Sequence, residues 1–238
     1  MTESGWLRDD NAWEMLEFIR SSCGERKARL FSVWCCRHVW HLLTDSPSRL
    51  AVDVAERYAD RLATQIDLKQ TKRQAELVVE TIERERESEF DLYLEGYSNW
   101  GGPERRRRLD AARAAANVAR KGDALTVAQQ IWSLVQSALE NDSDVKSFRQ
   151  NASDALRDIV GNPFREPCIE SHSLRWHNCT VSKLALTIYE EQRFDLLPIL
   201  SDALQEAGCT DRELLEHCFS KKPHVHGCWL IDLLLRKE

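Results

Sequence analysis

Three observations predict an all-α fold. Strand signals are almost absent, because no stretch of alternating β-branched residues is bounded by turn pairs. Only nine glycines and six prolines punctuate the 238 residues, and most stand where a helix should end. Between them, apolar residues recur at three- and four-residue spacing. No strict repeat period marks a solenoid, so the expected architecture is an irregular bundle of about ten helices.

The first helix should run from Asn11 to Ser22, capped by Asp10 or Asn11 and ended by Gly24. The second, Glu25 to Leu43, carries Leu30, Phe31, Val33, Trp34, Cys35, Val39 and Trp40 around most of its circumference, which predicts a central, buried helix. Thr44-Asp45-Ser46-Pro47 breaks it and starts a helix over 48–63. A long, mixed-charge helix follows from Leu68 to Tyr97, and Asn99-Trp100-Gly101-Gly102-Pro103 is the clearest break in the chain. Glu104 to Lys121 is Ala-rich, with Ala112, Ala116 and Ala119 on a narrow face that lets another helix approach closely. Helices over 125–139 and 144–160 come next, stopped by Gly161-Asn162-Pro163. Cys168 to Asn178 reads as a long surface loop. Thr180 then caps a helix to Glu191, and Phe194 to Ala207 forms another, closed by Gly208. Thr210-Asp211-Arg212-Glu213 has the form of a capping box for a helix over 213–218, and Cys228 to Leu235 is a final buried helix. The break near 99–103 suggests two helical lobes, 1–100 and 101–238, or one continuous domain.

Composition narrows the function classes. A net charge of −6 provides no whole-protein attraction to nucleic acid or anionic membrane. The most apolar run, Cys228 to Leu235, is far shorter than the roughly 20 residues that cross a bilayer, and Asp232 interrupts it. The first ten residues are acidic and lack the apolar stretch of an export signal. A cytoplasmic location is therefore expected, with the eight cysteines reduced and mostly buried. Phosphate loops, zinc-protease helices, nucleophile elbows and dinucleotide fingerprints are all missing from the sequence. A non-catalytic module whose partner is another protein is the expected function.

Two regions carry a resemblance. One contains Cys35-Cys36-Arg37-His38-Val39-Trp40-His41. The other contains Gly161-Asn162-Pro163-Phe164-Arg165 and, further on, Pro223-His224-Val225-His226-Gly227-Cys228-Trp229. Together they resemble a family of helical proteins abundant in planctomycete bacteria, whose function is not established. The resemblance covers both ends of the chain and skips the charged middle. It implies a module that also occurs beside other domains. Within or near these stretches, Cys35, Cys36, Arg37, Trp40, His41, Asn162, Arg165, Trp229 and Asp232 are read as structural or interaction residues. The chain departs from the family pattern at His38 and His226, where the family tends to have Arg, and at Ser220-Lys221-Lys222.

Three constellations have chemical potential. Cys209, His217, Cys218, His224, His226 and Cys228 are good zinc ligand types, though no Cys-x-x-Cys pair organises them. The plainer alternative buries the three cysteines in the core and has His224 cap a helix or meet a carboxylate such as Asp232. Cys35, His38 and His41 share a helix, where a histidine could activate a thiol; a core role for Cys35 and Cys36 competes with that. Arg37, on an apolar helix, needs a partner such as Glu17, Asp53 or Glu56. Finally, 104–121 carries seven basic residues against two acidic ones, with Arg106, Arg113 and Arg120 at heptad spacing. That stripe could meet phosphates, with Tyr93, Tyr97 and Trp100 stacking on bases, or it could pair with the acidic helix before it.

Overall fold

A computed structural model describes the backbone of residues 1–94 and 102–237 and the side chains of 1–87 and 102–237. The regular structure of the described residues is all helix, with no strand. Twelve α-helices and two 3₁₀ turns appear among them. The chain divides into two compact units, one made of 1–15 with 152–238, the other of 16–151. The sequence break at 99–103 lies inside the second unit, and its residues 99–101 are outside the described part.

In the second unit, α3 (Glu25–His38) is the core helix, as its all-round apolar pattern predicts. Phe31, Cys35 and Cys36 are fully buried on it. It packs on α4 (Ser46–Ala59), α6 (Gly102–Val118) and α7 (Ala124–Ala138), while α5 (Gln65–Leu94) covers α4 and α6. Asp45 caps α4 by accepting the Ser48 N–H at 2.7 Å, and Pro47 sits in the first turn, where its missing N–H costs nothing. Ala112, Ala116 and Ala119 are all buried, so α6 does use its small face for close packing against α7 and α5. Arg29, buried on α3, donates to the carbonyls of Val118 and Arg120 at the end of α6. Those carbonyls have no intrahelical partner, and a buried guanidinium satisfies them.

The first unit opens with a helix that the sequence reading omitted, α1 (Glu3–Arg8), capped by Thr2. Next, α2 (Ala12–Phe18) is shorter than expected. The expected loop over 168–178 is also corrected. Helix α9 (Ser171–Glu191) begins inside it and is interrupted at Trp176–Cys179, where His177, Asn178 and Cys179 are left-handed. Apolar residues of α9, α10 (Leu197–Glu206), α11 (Arg212–Cys218) and α12 (Trp229–Leu235) form one core around Ile188, Leu200, Leu204, Leu214 and Leu230. The cap of α11 is Asp211 rather than Thr210; its carboxylate accepts the N–H groups of Glu213 and Leu214.

Trp6 on α1 donates its indole N–H to the Gly161 carbonyl at 3.0 Å, and Glu3 accepts from Asn162 and Arg165, each at 2.7 Å. Gly161, at φ +80°, follows α8 (Asp142–Val160). A Cβ there would stand 3.1 Å from Cγ of Trp229, so the position requires glycine both for its backbone and for the close approach of the indole.

Candidate metal centre

Four side chains from separate parts of the first unit converge. Asp158 lies in the last turn of α8, His217 near the end of α11, and His224 and Cys228 in the loop that leads into α12. Asp158 Oδ1 is 2.7 Å from His224 Nδ1 and 3.3 Å from His217 Nε2. Cys228 Sγ is 3.1 Å from the same His217 Nε2 and 3.9 Å from the same His224 Nδ1. All four donor atoms lie within 4.8 Å of one another. The Asp158 and His224 side chains are each 7% exposed, and His217 is 15% exposed.

The arrangement focuses on a point. In a relay the carboxylate would hold the far nitrogen of the imidazole while the thiol met the near one. Here carboxylate and thiol meet the same nitrogen of each ring, which is the pattern of ligands around an ion. Bond lengths to tetrahedral zinc imply donor-to-donor separations of roughly 3.3–3.8 Å. The observed spacings bracket that range: the Asp158–His224 pair, at 2.7 Å, and the His217–Cys228 pair, at 3.1 Å, must open to reach it, and the His224–Cys228 pair, at 3.9 Å, must close slightly. Asp, two His and Cys is a donor set suited to zinc, with imidazole and thiolate supplying most of the affinity.

Local structure fixes each ligand. Asp158 Oδ2 accepts the backbone N–H of Val225 at 2.8 Å, tying the loop to α8. Burial alone would raise the Asp158 carboxyl, but hydrogen bonds from His217 and His224 outweigh it and hold the group below the usual carboxylate range. The Cys228 thiol is pushed well above its ordinary value by burial and then by the Asp158 charge, against a smaller opposing pull from the amides of Ile231 and Leu230. Without a cation it is a thiol, not a nucleophilic thiolate.

Outer contacts are mixed. The Trp229 indole N–H donates to His217 Nδ1 at 3.2 Å, so in the metal-free state the ring proton sits on Nε2. A metal held at Nε2 would have to displace that proton, and for the ring to stay neutral the Trp229 indole would have to release Nδ1. His224 Nε2 is buried with no hydrogen-bond partner among the described residues, so this ligand lacks the outer carbonyl or carboxylate most metal histidines have. Beside the cluster is a cleft of about 520 Å³, lined in part by Gly161, Asn162, Arg165, His217 and Trp229.

Of the six zinc candidates read from sequence, His217, His224 and Cys228 come together. Cys218 is buried in the apolar core, Cys209 packs at its edge, and the His226 ring lies 4.4 Å from that of Tyr189. His224 does meet a carboxylate, as in the plainer alternative, but it is that of Asp158 rather than Asp232, and spacing in the sequence does not point to Asp158. Asp232 is buried on α12.

The other constellations resolve differently. Burial, then the neighbouring Cys36, pushes Cys35 well up, and burial pushes Cys36 to about 12. His38 packs on Phe148 and Trp34, with ring centroids at 5.0 and 5.7 Å, and burial, then His41, lowers its pKa. Among the described residues no hydrogen bond joins Cys35 to His38 or His41, so no thiolate pair forms. Arg37 finds the partners expected for it, Asp53 at 3.0 Å and Glu56 at 2.6 Å, though its side chain is exposed, while Glu17 binds Arg20. Trp40 receives the guanidinium groups of Arg37 and Arg49 over its ring, at 5.0 and 5.3 Å. Arg113 pairs with Glu83 of α5, whereas Arg120 donates weakly to Gln130. Tyr93, Tyr97 and Trp100 are outside the residues whose side chains are described.

No described helix is long and apolar enough to cross a membrane. Compared with models of known families, with curated proteins and with solved structures, the chain matches none.

Proposed function

We propose that this chain is a zinc-binding helical protein in which the metal, held by Asp158, His217, His224 and Cys228, ties α8 to the C-terminal segment. The observation that supports this most is the convergence of four donor atoms of the right types within 4.8 Å, in a nearly closed site. Four protein ligands would complete a tetrahedron and leave no position for substrate, so the role we propose for the metal is structural, in keeping with a non-catalytic module. Membership of the planctomycete family belongs to the same proposal. Two ligands, His224 and Cys228, lie within the Pro223–Trp229 string that resembles it, and Asp158 lies just before Gly161-Asn162-Pro163.

Cobalt(II) titration of untagged apoprotein tests the ligand set. A tetrahedral site with one thiolate should give intense visible d–d bands together with a sulfur-to-cobalt charge-transfer band. Cys228→Ser should remove the charge-transfer band, while Cys209→Ser keeps it. Weak octahedral bands, or a charge-transfer band indifferent to Cys228, would overturn the assignment.

A further inference from the structure

A second site stands in the other unit. Between α5, α6 and the end of α7 lies a cavity of about 1040 Å³ lined by Arg86, Arg105, Arg106, Arg107 and Arg113. Two carboxylates, Asp110 and Glu140, share its walls. The cavity is therefore net positive in a protein whose total charge is −6.

The pairing inside it is incomplete. Arg106 meets Asp110 only at 3.9 Å, with its side chain 75% exposed. Arg86 has no ion pair or hydrogen bond among the described residues. Arg107 pairs with Glu140, yet its Nε–H is buried with no acceptor among the described residues. Burial raises the Asp110 carboxyl, against the pull of Arg113, Arg106 and Arg86; even fully ionised, Asp110 and Glu140 cannot balance five guanidinium groups. Guanidinium forks match phosphate oxygens in pairs, and several forks around one concavity favour a compact, multiply charged anion.

We infer that this cavity binds an oligophosphate, an anion with at least two linked phosphate groups such as pyrophosphate, tripolyphosphate or the phosphate chain of a nucleotide. Its volume exceeds what one phosphate fills, and five guanidinium groups exceed what one phosphate satisfies. A polynucleotide is disfavoured by shape: the heptad stripe does not form one track, since Arg106 and Arg113 line the cavity and Arg120 does not.

Isothermal titration of the full chain with tripolyphosphate, pyrophosphate and orthophosphate at matched ionic strength tests this. Tripolyphosphate should bind at least about tenfold more tightly than orthophosphate, and its affinity should fall with added salt. The double variant Arg86→Gln, Arg106→Gln replaces two exposed side chains and should keep the native circular dichroism. It should lose about tenfold or more in affinity. Lys146→Gln, an exposed cation outside the cavity, should bind as the parent does. The inference fails if tripolyphosphate gives no heat at low salt, or if the double variant binds it unchanged. It also fails if a single-stranded oligonucleotide binds and tripolyphosphate does not compete with it.

Discussion

Cys228 is where the metal assignment is most exposed to test. Its buried thiol is held protonated, so zinc has to displace a proton to bind. In titrations at neutral pH the apparent enthalpy should depend on the buffer's ionisation enthalpy, with at least one proton released, and affinity should rise with pH. A buffer-independent enthalpy would mean that the sulfur is not a ligand. Thiol labelling separates the other cysteines. Exposed Cys168 should react in the native protein, whereas Cys35 and Cys36, fully buried, should react only after unfolding. Gly161→Ala should cost about 1–3 kcal/mol, from a left-handed backbone and the Trp229 contact together, measurable by urea denaturation. The ligand types were legible in the sequence, because histidine and cysteine crowd the last thirty residues. Asp158 was not. It lies 66 residues before its hydrogen-bond partner His224, and nothing in local spacing separates it from other helical carboxylates.

At the scale of elements, periodicity located α3 to α8 well, because each has an apolar stripe and a visible cap or stop. The Ala-rich face of α6 was readable for the same reason. Ala112→Leu should overpack it where it meets Leu109 and Ile82 and destabilise the chain by about 1–3 kcal/mol; a neutral or stabilising effect would mean that the face is not in close contact. What periodicity could not show is conformation set by tertiary packing. The interruption of α9 at Trp176–Cys179 places three residues in left-handed geometry, which Asn178 and, less readily, His177 adopt but Cys179 rarely does. Likewise α1 is only six residues long, too short for a pattern, and its Trp6 is buried against Gly161.

At the scale of the molecule, the two proposed sites fall in different units. A sequence break at 99–103 suggested lobes divided there. The units divide instead within α2 and α8, where continuous helices leave no compositional mark. Because all four metal ligands belong to one unit, chelation should raise hydrogen exchange over 154–161 and 212–235 and leave α3, α6 and α7 unchanged. Equal loosening of both units would break the link between the site and its unit. The most direct measurement is the zinc content of untagged protein, purified without chelator and compared with Cys228→Ser and His224→Ala. Near one zinc per parent chain, and a large loss in both variants, is the predicted result. Parent protein that takes up no zinc even when it is supplied, or variants that retain it fully, would contradict the metal centre.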